Sequence, residues 1–560
     1  MLFSVIKKGV FQDSVSLMLL SKRIAGLPEV GDVSIMMGTP ANKEIFENTG
    51  FLTPEISEAA SADLCIAIQG NDESVIDIVI KAVEAFLSDQ SVKKKSSGLT
   101  QTKTFDAALK RMPDANLALI SIAGKYAFRE AERALDNNLS VFLFSDNVSV
   151  EEEVALKKKA HDKGLIVMGP DCGTGTISGI PLAFSNVNRP GSIGIVGASG
   201  TGTQAVLAEI DALGAGISHA IGIGGRDLSE QVGGISALDA ISFLEKDKKT
   251  EIIVFISKPP AKVIRDKIIV ALAKVAKPAV TIFLGEGAAS PKDGIWFAGS
   301  LDEAAKIAVE LYQKVQEQKA REEFKPRQKQ IRGLFCGGTL ASEAANIIAE
   351  KLNITETSDH EKGVMFSSNG NSVIDLGDDA YTVGRAHPMI DPSLRSEMLE
   401  KAGTDPDVAV VLFDLVLGFG AHADPAGMVV ESVLKARAER DPAAGNVVFI
   451  AVICGTRGDP QGFDGQIAKL RDAGIWCFTS NSYAADVAVR TVHPDSALPE
   501  HRNGTEESVE LLKKAPRVIN IGMLSFAEDL VKNKAQIVQV NWAPPAGGDE
   551  RLIAALDRLK

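Results

Sequence analysis

Two glycine-rich turns carry the residues best suited to hold an anion. Gly197-Ala198-Ser199-Gly200-Thr201-Gly202-Thr203 lies between an apolar run and a helical pattern, and so does Gly337-Gly338-Thr339. Glycine lets backbone amides approach an anion closely, and the first turn of a helix adds unpaired N–H groups and a partial positive charge. Phosphate binding is therefore expected of Ser199, Gly200, Thr201, Gly202 and Thr203, and of Gly337, Gly338 and Thr339. A tight strand-to-helix turn with a capping hydroxyl is the alternative use of the same residues. Neither loop ends in Gly-Lys-Ser/Thr, so the Walker A mode of ATP binding is not indicated. A third loop, Gly222-Ile223-Gly224-Gly225-Arg226-Asp227, adds a fixed charge. Gly224, Gly225 and Arg226 suit a phosphate or carboxylate; a plain turn with an Arg–Asp pair is the alternative.

A denser polar stretch follows in Asp375-Leu376-Gly377-Asp378-Asp379, Arg385-Ala386-His387-Pro388 and Gly418-Phe419-Gly420-Ala421-His422. Arg385 can grip a carboxylate bidentately, and with His387 it is expected to bind substrate. His387 and His422 are two of only seven histidines and suit acid–base work near neutral pH; loop histidines bonded to backbone are the alternative. The carboxylates at 375, 378 and 379 match no metal-ligand spacing and read as solvated loop acids, so no metal site is expected. Cys172 follows a strand, yet nothing local would depress its pKa, and it is not read as a nucleophile.

The elements that must position these groups form a repeat. Residues 191–210 run strand, glycine turn, helix, and residues 331–350 have the same grammar. Later segments continue the parallel: 251–260 answers 408–420, and 278–287 answers 446–455. Near-wholly apolar strands alternating with helices imply parallel sheets covered on both faces. The reading is α/β throughout: a small N-terminal α/β unit (1–90), a linker (91–106) and a Rossmann-like CoA-binding-type domain (107–187). Two tandem flavodoxin-like, CoA-ligase-type domains (188–316 and 331–495) follow, joined by a helix (317–330), with a C-terminal extension (496–560). A pseudo-twofold pairing of the repeats would aim both helix starts at one phosphate.

Composition narrows the partners. Sixty Lys+Arg against 73 Asp+Glu leave a net charge of −13, which repels polyanions and excludes nucleic acid as a general partner. No apolar run approaches the ~18 residues of a membrane span. Five scattered cysteines without a C-x-x-C pair fit a reducing cytoplasm and no disulfide framework.

With these residues in view, a family resemblance emerges. Residues 116–310 resemble the α subunit of succinyl-CoA synthetase: MGPDCG is similar to its GPNCPG, GASGTGTQAV to its SRSGTLTYEAV, and AIGIGGRD to its VGIGGDP. Residues 331–492 resemble the CoA-ligase domain of the β subunit, Gly337-Gly338-Thr339 standing for its GGI loop. Over its whole length the chain is identified as a member of the FdrA family of acyl-CoA synthetase-like proteins. The motifs that carry this include KKGVFQDSVSLM (7–18), MMGTPANK (36–43), ISKPPA (256–261), HPMIDP (387–392) and LGFGAHADPA (417–426). The ligases' phosphorylated histidine lies in a GHAGA loop, and here that place reads Gly285-Glu286-Gly287. The glutamate that orients their histidine is replaced by Ser257-Lys258-Pro259, and their CoA-phosphate loop TGxxG is absent from residues 1–30. CoA stays open as a cofactor, and no other is expected.

The family resemblance implies a cytoplasmic subunit of a carbamoyltransferase in allantoin breakdown. It would act on phosphate, carbamoyl phosphate, and oxamate or oxalurate, and work with companion subunits. Lys258 and Arg226 would then steady the transferring group, Arg385 and His387 the oxamate carboxylate, and His422 would move the proton at the leaving nitrogen. Acyl-CoA ligation of the succinyl-CoA synthetase type, or a non-catalytic subunit of such a complex, are the alternatives.

Overall fold

The computed structural model describes the chain except residues 11, 13, 62, 97–98, 355–360, 495–507, 549–551, 554, 556–557 and 559–560. Residues 495–507, including the start of the expected C-terminal extension, thus lie outside the described residues, as do Phe11 and Asp13 of the first motif. The chain divides into two compact units, one of residues 1–309 with 501–560 and one of residues 310–500.

The first unit opens with an antiparallel sheet of β1 (Leu2–Lys7), β2 (Val30–Met37) and β3 (Leu64–Gly70), ordered β1-β3-β2. The central strand β3 is apolar on both sides. Leu64, Ile66 and Ile68 pack into one cluster with Leu17 and Leu20, while Cys65 and Ala67 pack into another with Phe46 and Ile56, as the two-residue period requires. The stretch expected to be a linker is structured instead. The helix Ser74–Ser96 runs through its lysines, β4 (Thr100–Thr102) follows, and Thr104 caps the helix Phe105–Arg111. Lysine is a good helix former, and an edge strand needs a ladder on one side only, so weak apolar patterning did not prevent either element.

Next come β5 (Leu117–Ile120), β6 (Ser140–Leu143), helix α1 (Val150–Asp162) and β7 (Val167–Met168). Then β8 (Thr174–Ile177), β9 (Ile180–Ala183) and β10 (Pro190–Gly197) lead into helix α2 (Gly200–Ala212). β11 (Ile217–Gly222), β12 (Ile252–Ser257), β13 (Ala279–Phe283), β14 (Ala289–Lys292) and β15 (Ile295–Phe297) complete an eight-stranded sheet. Its five parallel strands lie in the order β11-β10-β12-β13-β15, the 2-1-3-4-5 arrangement of a flavodoxin-like sheet.

The second unit repeats that order. It has β16 (Gln330–Phe335), helix α3 (Gly338–Lys351), β17 (Val364–Ser368), β18 (Asn371–Asp375), β19 (Val408–Val416), β20 (Val448–Cys454) and β21 (Trp476–Phe478). Parallel strands run β18-β16-β19-β20-β21, with β17 antiparallel on the β18 edge.

The C-terminal extension is not a separate appendage. β22 (Arg517–Ile521) and β23 (Gln536–Val540) enter the Rossmann-like sheet, which is all parallel in the order β4-β23-β22-β5-β6-β7. Val518 pairs with Leu117 across about 400 residues of chain, and the Met523 amide donates to Ser121 Oγ at 2.8 Å. Residues 107–187 supply only half of that sheet, so they do not close a domain alone.

Candidate functional site

Strand order reverses between β10 and β12, and ligands of open parallel sheets bind beyond the carboxyl ends of strands at such a point. There Ser199 is the N-cap of α2, and its hydroxyl accepts from the Gly202 amide at 3.3 Å. Thr203 is buried and donates to the Ser199 carbonyl at 2.7 Å. Gly197 must be glycine, because a methyl there would overlap Thr203 Oγ1. Gly202 and Thr203, both expected to hold phosphate, therefore build the turn itself. The amides of Gly200 and Thr201 remain on the exposed first turn, where the helix supplies no acceptor. The Ala198 amide donates to the Ile256 carbonyl at 2.9 Å, which brings the end of β12, with the exposed Lys258, alongside this turn.

The third loop serves the fold. Gly224 has φ +80°, and a methyl there would meet the Pro170 carbonyl at 2.5 Å. Arg226 donates to the Val148 carbonyl at 2.8 Å and lies 2.9 Å from Glu153 Oε2. Behind it, buried Lys157 donates to Glu153 Oε1 (2.8 Å), Asp227 Oδ1 (2.7 Å) and the Ile223 carbonyl (3.0 Å). Asp227 in turn accepts from the amides of Ser236 and Ala237. Two cations and two carboxylates balance, so Arg226 is held by internal partners rather than offered to an anion, contrary to the expectation for this loop. Cys172 is buried, and burial pushes its thiol up to about 12, so it is no nucleophile.

In the second unit the matching turn has a different construction. Gly337 is the N-cap of α3 and has no side chain to cap with. Asp414, fully buried on β19, does this instead: its carboxylate accepts from the amides of Cys336 (2.8 Å) and Gly337 (2.9 Å). Pairing of Gly197 with Ile256, and of Leu334 with Phe413, makes Asp414 the counterpart of Ile256 in the first repeat. Buried Arg395 donates to the Asp414 carbonyl at 2.8 Å and lies 3.9 Å from Oδ1. Burial raises the Asp414 carboxyl, opposed by Arg395 and the two amides. Asp375 covers the same helix start: Oδ1 accepts from the Gly377 amide at 2.8 Å, and a methyl on Gly338 would lie 2.7 Å from Oδ2. Two carboxylates flank Gly337 and Gly338, so an incoming phosphate meets negative charge where donors were expected. Asp375 is not a solvated acid either; it is 8% exposed, and burial raises its pKa.

The two histidines stand beside this turn. His387 Nδ1 accepts from the Met389 amide at 3.2 Å, and its Nε2 crowds Gly377. His422 Nδ1 accepts from the Asp424 amide at 3.1 Å, and its own amide donates to the Met389 carbonyl at 2.8 Å. An accepting Nδ1 carries no proton, so both rings present Nε2–H as a donor. Arg385 is exposed on the same loop. Gln461, unremarked in the sequence, pins the His422 loop by accepting from the Gly418 amide (3.0 Å) and donating to its carbonyl (2.8 Å). Among the described residues no group of three or more His, Cys, Asp or Glu could hold a metal ion.

Comparison with known proteins places this geometry in a family. The chain is 42% identical over 497 residues to the protein called Uncharacterized protein YahF of Escherichia coli K12, covering 85% of this chain and 96% of that one. This chain belongs to the FdrA family. Three family models match parts of it: "AllF, heavy metal-associated domain" (1–104), "CoA binding domain" (188–285) and "CoA-ligase" (334–491). The CoA-binding model falls on the first flavodoxin-like sheet rather than on residues 107–187. The FdrA chain is also 26% identical over 182 residues to the succinate–CoA ligase alpha 2 subunit of Archaeoglobus fulgidus, covering 31% of this chain and 61% of that one. It thus spans about three-fifths of that ligase subunit. A solved dinucleotide-forming acetyl-coenzyme A synthetase 1 of Ca. Korarchaeum cryptofilum matches 69% of this chain and 84% of its own at 15% identity, with a TM-score of 0.44.

A heavy metal does not fit residues 1–104. They hold no histidine and one cysteine, Cys65, which is buried on β3 with its thiol pushed up to about 11. Among the described residues no helix is long and apolar enough to cross a membrane.

Proposed function

We propose that the chain works on an acyl phosphate as the phosphate-binding subunit of a carbamoyltransferase. Oxalurate and phosphate would give oxamate and carbamoyl phosphate. The observation that carries this reading is the pair of loops beside β12. The loop after β13, where a phosphohistidine relay needs its carrier, holds Glu286 locked to Arg265 (Nε–Oε1 2.7 Å). The α2 turn next to it keeps two amides and Lys258 for an anion.

A phosphate held there attacks the carbamoyl carbon of oxalurate through one oxygen. The bond from that carbon to the oxamate nitrogen breaks, and the phosphate's proton ends on the nitrogen, so atoms and charge balance. Donors fixed before reaction stabilise the developing charge without reorganising. Within the second unit, the Nε2–H groups of His387 and His422, with Arg385, suit a small carboxylate.

A second reading is an acid–thiol ligase, favoured by the CoA-ligase match over residues 334–491. Coenzyme A would supply the thiol that accepts the acyl group, and the α2 turn would hold a phosphoryl oxygen. Carbamoyl phosphate consumption by the full chain, alone and with companion subunits, separates the two. Oxamate-dependent consumption supports carbamoyl transfer. Turnover that needs CoA and ignores oxamate replaces it with the ligase.

A further inference from the structure

We infer that Thr174 is a further anion-binding residue, presenting its hydroxyl to the oxyanion held at the start of α2. This rests on the phosphate-binding reading of that turn. Thr174 opens β8, the strand antiparallel to β11, and is 2% exposed. Its hydroxyl makes no hydrogen bond among the described residues, whereas the other buried threonines near this sheet edge do: Thr176 pairs with Ser185 Oγ at 2.8 Å and Thr203 with the Ser199 carbonyl at 2.7 Å. The Thr174 oxygen is not among the sealed polar atoms left without a partner, so it is reached from the open side of the turn and is free to donate to a ligand there.

The direction of the hydroxyl identifies what completes it. A methyl built on Gly200, the first residue of α2, would lie 3.3 Å from Thr174 Oγ1. The hydroxyl therefore stands against the first residue of α2, at the helix's N-terminal end. The strand is held there by its own backbone: Cys172 Sγ lies 3.6 Å from the Thr174 carbonyl, and a methyl on Gly222 would lie 2.4 Å from that same oxygen. Two amides, one hydroxyl on an immobile strand and one flexible lysine form a donor set for a tetrahedral oxyanion. The ligand class is inorganic phosphate or the phosphoryl end of an acyl phosphate.

The test is titration of the full chain with inorganic phosphate and, separately, with carbamoyl phosphate, followed by calorimetry. Thr174→Val keeps the shape and removes the hydroxyl; Thr174→Ser keeps the hydroxyl. A hydrogen bond to a charged acceptor predicts roughly ten- to hundredfold weaker binding for the valine variant and near wild-type binding for the serine variant. Gly200→Ala, which crowds the hydroxyl from the helix side, should weaken binding as well, and it covers the case in which the valine variant fails to fold. Tighter binding of one anion than the other identifies the source of the phosphoryl group. Equal affinity for wild type and Thr174→Val overturns the inference and leaves the phosphate turn standing. Failure of wild type to bind either anion overturns the turn's reading and the inference with it.

Discussion

Asp414→Ala tests whether one buried carboxylate holds the second glycine turn together. The variant deprives the Cys336 and Gly337 amides of their acceptor, at 2.8 and 2.9 Å, and strips the 2%-exposed Arg395 of the charge 3.9 Å away. Amide bonds to an ionised acceptor contribute about 1.5–3 kcal/mol each. The desolvation that raises the Asp414 carboxyl offsets part of this. Gly337 is half-buried, so water can replace one bond, and Arg395 keeps its bond to the main-chain carbonyl of residue 414. The net loss falls at about 3–5 kcal/mol, the range for breaking a buried pair. For a unit of about 190 residues that corresponds to roughly 6–20 °C in Tm. Urea unfolding followed by tryptophan fluorescence at Trp476 reports on this unit. Asp414→Asn, which keeps one acceptor oxygen, should lose about half as much. An Asp414→Ala variant within about 1 kcal/mol of wild type would refute the capping argument, because among the described residues no other side chain accepts from either amide.

Three further outcomes are expected. Lys157→Met leaves Glu153 and Asp227 buried together without their shared cation and should destabilise the first unit by about 3–5 kcal/mol, read as a lower denaturant midpoint at unchanged slope; an unchanged midpoint removes the buried network from the account. Lys258→Ala should weaken phosphate binding roughly tenfold at low salt and less at high salt, because the side chain is exposed and screened; wild-type affinity at low salt removes Lys258 from the site. Lys277 is buried, and burial lowers its pKa to about 8 from 10.5, so the native state binds fewer protons than the unfolded chain between those values. Stability should therefore rise with pH across about 8 to 10.5, by at most ~3 kcal/mol, and fall back as pH drops through 8; Lys277→Met should abolish that slope, and a slope that persists in the variant assigns it to another group.

Local pattern accounts for the elements of this chain. Apolar strands, glycine turns and amphipathic helices follow from residue spacing, and the repeat at 191–210 and 331–350 is legible because both copies obey the same packing rules. In both sheets the first crossover adds its strand on one side of the opening strand and the next reverses to the other side, β12 pairing with β10 and β19 with β16. The helix start at Ser199 was likewise legible, since a hydroxyl ahead of a helical pattern is a local capping signal.

What the tertiary structure decided is partnership. A strand carries no mark of the strand it will pair with, so only the folded sheet shows that β22 and β23 complete the Rossmann-like domain begun 400 residues earlier. Equivalent turns diverge for the same reason. Ser199 caps its own helix from within the loop, whereas Gly337 depends on a carboxylate carried on another strand, visible in the sequence only as a lone acid inside the apolar run VAVVLFDLVLG. Arg226 looked available because its nearest charge in sequence is one residue away, yet its partners Glu153 and Val148 come from a helix start more than 70 residues earlier. Thr174 gave no signal at all, being an ordinary β residue until folding set it against Gly200. Residue type and spacing determine which groups can do chemistry; burial and long-range contact determine which of them remain unpaired to do it.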